Sequence, residues 1–159
     1  MSPTANNRQD NYNEEQEKYV ATFKSIISES GNRAEDYLIT NSTYNLDRWV
    51  FSQKLKDMPK EKALVDSFTE RHKFDTVIEA KKKNLSFLSP DVENPKFVVF
   101  YSELIDGMIV AEVYPFNNNR YDINNINYES ISLFNISRNY LFIFEQNILK
   151  TTVIAELQP

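Results

Sequence analysis

The sequence predicts an α+β fold, with N-terminal helices packed on one face of a C-terminal five-stranded antiparallel meander sheet. Three observations carry this. In the first half, apolar residues recur at intervals of three and four, the spacing of one helix face. The segment 89–95, SPDVENP, holds two prolines that forbid a continuing helix, and beyond it the apolar period changes to two, the alternation of strands. Asp106-Gly107 then separates two apolar runs, and a type I′ hairpin turn needs positive φ at both central residues.

The elements follow in order. Residues 1–11 are polar and read as a flexible N-terminal arm; 12–159 read as one domain, with a helical part 12–88, a linker 89–95 and a sheet part 96–157. Asn13 is positioned to cap a helix, with Glu14, Glu15 and Glu17 in the first turn where the helix dipole favours anions. Tyr19, Val20, Phe23, Ile26 and Ile27 form its apolar stripe, and Gly31 ends it. A short helix is predicted over 34–39 and another over 46–56, with Trp49, Val50 and Leu55 inward. From Pro59 a long helix is predicted through Leu64, Phe68, Arg71, Phe74, Ile78, Lys81 and Leu85, with Arg71 and Lys81 interrupting the stripe. Residues 84–88 fit a short strand as well as the end of that helix. Strands are predicted at 97–105, 108–115, 130–136, 140–145 and 148–156, with a second hairpin turn at Gln146-Asn147.

Composition narrows the function classes. The 159 residues fit one domain and suffice for a self-standing core. Zero cysteines exclude disulfides, thiolate metal sites and cysteine nucleophiles, and two glycines exclude a P-loop, a dinucleotide fingerprint and a nucleophile elbow. Residues 1–90 carry 14 basic and 14 acidic side chains, whereas 91–159 carry 4 and 9, so the net charge of −5 resides in the second half. An acidic sheet half repels phosphate backbones and anionic lipid and steers toward a basic protein partner. No apolar run is long enough to span a membrane, and a cytoplasmic protein is expected. No residue pattern fixes an oligomeric state.

Around the hairpin, a two-residue loop places Tyr101 directly across from Glu112, with Glu103 diagonal to Glu112 at about 7 Å. Tyr101, Glu103, Glu112 and Tyr114 would then share one face, and Val98, Phe100, Ser102, Ala111 and Val113 the other. The first set is predicted to be solvated and the second to be the core face. Two carboxylates at that spacing could share acid–base work in a hydrolase; an alternating polar face on an antiparallel sheet needs no such cause. The connection 116–127, FNNNRYDINNIN, has six asparagines. Asp122, Asn124, Asn127 and Glu129 echo a calcium loop, but Ile126 and the missing turn glycine break the pattern. His72 is the single histidine and lacks a companion ligand. The basic run Lys81-Lys82-Lys83 fits a helix C-terminus.

The reading is therefore a non-catalytic interaction or accessory protein, an assembly component or an inhibitor, without cofactor or metal. It would contact a basic protein partner through Tyr101, Glu103, Glu112, Tyr114, Asn118, Asn119, Arg120, Tyr121 and Asp122. A small apolar-ligand pocket between sheet and helices, and a carboxylate-based hydrolase, are the alternatives.

Overall fold

A computed structural model describes residues 12–73 and 80–157; the predicted arm 1–11 and the positions Phe74 and Ile78 lie outside them. The α+β class holds, with a six-stranded mixed sheet in place of a five-stranded meander.

Helix α1 (Glu14–Ser30) starts on a capping box: Asn13 Oδ1 accepts from Gln16 N at 2.8 Å, and Gln16 Oε1 accepts from Asn13 N at 3.0 Å. Gly31 closes it at φ +76°. A Cβ there would meet open space, so Gly31→Ala isolates the left-handed backbone cost. It is expected to destabilise by about 1 kcal/mol, lowering Tm by about 2–4 °C in a thermal melt.

The predicted helix 34–39 is corrected. A single 3-10 turn, Ala34–Asp36, leads into strand β1 (Tyr37–Tyr44), whose YLITNSTY carries the β-branched and aromatic residues that suit a pleated surface. The predicted helix 46–56 is two 3-10 turns, Trp49–Phe51 and Gln53–Leu55. The break turns Arg48, Phe51 and Leu55 inward and leaves Trp49 outside, the reverse of the predicted orientation for Trp49.

Helix α2 (Pro59–Arg71) begins on proline and stops at the residue that interrupts the predicted stripe. Ala80–Lys82 is strand β2, an edge strand paired antiparallel to β1, so the basic run does not cap a helix. Lysines on an edge discourage pairing with foreign strands. Residues 86–88 form a 3-10 turn rather than a strand.

Strands β3 (Phe97–Tyr101), β4 (Met108–Pro115), β5 (Ser137–Glu145) and β6 (Ile148–Leu157) complete the sheet in the order β2-β1-β3-β4-β5-β6. Every pairing is antiparallel except β1 with β3. The predicted strand 130–136 is corrected to helix α3 (Tyr128–Phe134), because Asn127 caps it through Ser130 N at 3.1 Å and Glu129 lies in its first turn. Both predicted hairpin turns are present: Asp106 (φ 54°), Gly107 (φ 73°) and Gln146 (φ 55°) are left-handed.

The placement of helices on one face is corrected as well. α1 packs Tyr19, Phe23 and Ile26 on Val99, Tyr101, Ile109 and Ala111. The other face carries Val98, Phe100, Val110 and Leu141, covered by Phe51, Leu55, Val65, Phe68 and Ile131 from the 3-10 turns, α2 and α3. The central strands are therefore buried on both sides, which is what the near-continuous apolar run of β4 requires.

Candidate functional site

The hairpin register decides where the predicted site residues go. Ile105 pairs with Met108, as a two-residue loop demands, yet Tyr101 pairs with Ala111 and Phe100 with Glu112. One extra residue is accommodated between Tyr101 and Ile105, a bulge that moves all of β3 to the opposite face. Ser102 sits at its start: its N–H donates to Val110 O and its Oγ accepts from Val110 N, both at 2.8 Å. The serine hydroxyl replaces a ladder carbonyl.

Arg48 holds the bulge from behind. Its Nη1 donates to Ile105 O at 3.2 Å and its Nη2 to Glu103 O at 3.4 Å and Ser102 Oγ at 3.5 Å. The guanidinium lies 3.9 Å over the Phe68 ring, and the residue is 1% exposed. Burial lowers its pKa to about 10, so it remains charged at neutral pH.

This bulge separates the two glutamates. Glu103 turns toward β1, accepting from Thr43 Oγ1 at 3.0 Å and pairing with Lys83, which also pairs with Glu15. Burial pushes its pKa up, but the Lys83 and Thr43 hydrogen bonds outweigh that and hold it below its ordinary value. Tyr101 is buried against α1, its hydroxyl accepting from Thr22 Oγ1 at 2.9 Å. Glu112 lies on the opposite face of the sheet from Tyr101, so the carboxylate pair required of a hydrolase is not assembled.

Glu112 is instead the centre of a buried polar knot. It is 6% exposed, and its Oε1 accepts from Tyr114 at 2.6 Å and from Tyr128 at 2.7 Å. Tyr114 stands two residues along the same strand, and Tyr128 is delivered by the first turn of α3. Tyr44 and Phe100 close around Tyr128 at ring distances of 5.5 and 4.9 Å. Directly across on β5 is Asn139, buried, with neither amide atom hydrogen-bonded among the described residues. Burial raises the Glu112 pKa against the opposing effect of the two hydroxyls, and burial together with Glu112 raises both tyrosines. The solvated face predicted for Tyr101, Glu112 and Tyr114 is thus corrected: all three are internal, because both sides of the sheet are covered.

The Asn-rich connection is on the surface and locally ordered. Asn119 N donates to Asn117 Oδ1 at 2.8 Å and Asn124 N to Asp122 Oδ1 at 2.9 Å, two side-chain turns. Asn118, Asn119, Arg120 and Asp122 are exposed. Tyr121 is half-buried, its hydroxyl accepting from Asn135 Nδ2 at 2.8 Å, and Arg120 lies over the rings of Tyr121 and Phe134. Among the described residues no group of three or more His, Asp or Glu could hold a metal ion. His72 caps α2 and stacks on Phe68 at 4.2 Å.

Sequence reasoning assigned 130–136 to a strand and so missed the apolar patch on this surface. Leu133, Phe134 and Ile136 are 64%, 63% and 48% exposed. It also missed Arg48 and Asn139, which carry no motif. The acidic excess is partly neutralised within the fold: Glu103, Asp106, Glu145 and Glu156 pair with Lys83, Arg71, Lys60 and Arg138. Asp91, Glu93, Asp122 and Glu129 remain exposed, in no ion pair among the described residues. An apolar hollow of about 210 Å³ beside α1, lined by residues such as Val20, Phe23, Ile27 and Phe87, is below the usual size of a ligand pocket. Among the described residues no helix is long and apolar enough to cross a membrane.

Comparisons of the chain with protein-family models, curated proteins and solved structures return no significant match.

Proposed function

We propose that the protein is a non-catalytic interaction protein that docks a basic protein partner through the Asn-rich connection and the end of α3. The observation that supports this is the adjoining apolar patch. Leu133, Phe134 and Ile136 present their side chains to water within four residues, beside the exposed acids Asp122 and Glu129. A small apolar centre with a polar, hydrogen-bonding rim is the anatomy of a protein interface. Asn118 and Asn119 supply rim donors and acceptors, and Arg120 and Tyr121 supply the residue types enriched at contact sites. The acids steer a basic surface and make docking sensitive to salt.

The test is affinity capture from the native host with wild-type protein and with Leu133→Ser/Phe134→Ser as baits. Both residues are exposed, so the variant keeps the fold, as circular dichroism checks. The reading requires a basic species held by the wild type, released by salt and absent from the variant. A species retained equally by both baits, or insensitive to salt, overturns it.

A further inference from the structure

We propose that strand β6 is a homodimerisation edge, pairing antiparallel with β6 of a second copy about a two-fold axis at Val153. It is independent of the docking surface above.

Among the described residues β6 ends the sheet and is hydrogen-bonded on one side only, to β5. A free edge presents a row of unpaired N–H and C=O groups, and proteins normally shorten, bend or charge such edges. The opposite edge follows that rule: β2 has three residues, two of them lysines. β6 has ten; its bulge and lysine at position 150 guard only the start of the strand and leave 151–157 in regular register.

The sequence of this strand, ILKTTVIAEL, is complementary to itself. Antiparallel pairing centred on Val153 brings Lys150, at the bulge just before the regular ladder, beside Glu156 of the second copy, and by symmetry Glu156 beside its Lys150. Thr151 then faces Ala155, and Thr152 faces Ile154. Lys150 and Glu156 are both exposed, so the two ion pairs form on an accessible surface. Opposite charges directly across a ladder stabilise it and fix its register.

The space beside the edge fits the same occupant. An open hollow of about 930 Å³ lies at the C-terminal half of β6, lined by residues that include Trp49, Val50, Ile154 and Glu156 together with the cations Lys54 and Arg138. Trp49, the only tryptophan of the chain, is 57% exposed there. In the two-fold arrangement, residues 150–152 of the second copy enter this hollow, and Trp49 covers the Thr151–Ala155 pair. The hollow recurs symmetrically on the second copy, so each chain both inserts a strand start and receives one.

The test is light scattering or sedimentation over a concentration series. Wild type is expected to dimerise reversibly. Lys150→Glu and Glu156→Lys each place like charges opposite one another twice, and each is expected to weaken dimerisation about tenfold or more. Mixed in equal amounts they restore both ion pairs, so the mixture is expected to form a heterodimer; the double variant is expected to recover the homodimer. Glu156 also pairs with Arg138 at 2.8 Å, so thermal melts accompany each variant, and Lys150→Glu serves as the variant that disturbs no internal ion pair. A wild type that stays monomeric throughout overturns the proposal. So does a dimer unaffected by Lys150→Glu, or a mixture no more associated than its components; an extended segment of another protein would then be the occupant of the edge.

Discussion

Arg48→Ala is expected to cost about 3 kcal/mol of stability, a fall of roughly 6–12 °C in Tm. The guanidinium donates to the carbonyls of Glu103 and Ile105 and to Ser102 Oγ, and lies against the Phe68 ring with Arg48 itself 1% exposed. Truncation removes three hydrogen bonds from a charged donor and opens a void under the Phe68 ring, although Glu103 O keeps Ser102 Oγ and Ile105 O keeps Met108 N as donors. Lysine does not substitute: one ammonium cannot span carbonyls from residues 103 and 105 while stacking flat on an aromatic ring. Arg48→Lys is therefore expected to lose most of the same stability. The specific signature is local. Amide exchange at Ser102 and Val110, whose reciprocal hydrogen bonds define the bulge, should accelerate before that of the β5–β6 ladder. A Tm within 2 °C of wild type would show that the bulge stands without its arginine.

Glu112→Gln is expected to do the opposite and stabilise the protein by about 2 kcal/mol at neutral pH. The folded-state pKa of Glu112 is raised, chiefly by burial. Sign follows directly: below its unfolded pKa the group is protonated in both states and contributes nothing. As pH rises past that value the unfolded chain releases the proton first, so stability declines until the folded pKa is reached and stays lowered above it. Glutamine keeps the Oε1 acceptor for Tyr114 and Tyr128 and removes the charge. The difference in Tm between variant and wild type should therefore shrink as pH falls through the carboxylate range and vanish in acid. A variant less stable than wild type at pH 7 would show that the charge itself holds the knot together.

Much of the local structure was legible because its causes are local. The Asn13 cap, the Gly31 stop and both left-handed hairpin turns depend on residues within four positions of each other. Of the misread elements, β1 depends on a distant partner, whereas α3 has a local cause. AEDYLI at 34–39 reads as a short helix until β3 lies beside residues 37–39, and INYESISLF alternates like a strand until Asn127 starts a helix. The bulge was beyond reach, since the arginine that holds it is 54 residues from Ser102 in sequence. With the bulge unseen, alternation assigned Tyr101 and Glu112 to one wet face. One signal did point the other way: β4 reads MIVAEVYP, apolar almost throughout, which fits a strand covered on both sides better than a half-solvated one. The surface patch was missed for the same reason as α3.

The parallel joining of β1 to β3 also sets a timetable for biosynthesis. Thr22 waits 79 residues for Tyr101 and Tyr19 waits 83 for Ser102, while β1 must be threaded alongside a strand translated much later. The first third of the polypeptide leaves the ribosome with its greasy surfaces unmatched, and it stays so until the C-terminal hairpins have been made to receive it. A nascent chain arrested before residue 97 would thus be a substrate for chaperones rather than a half-built domain.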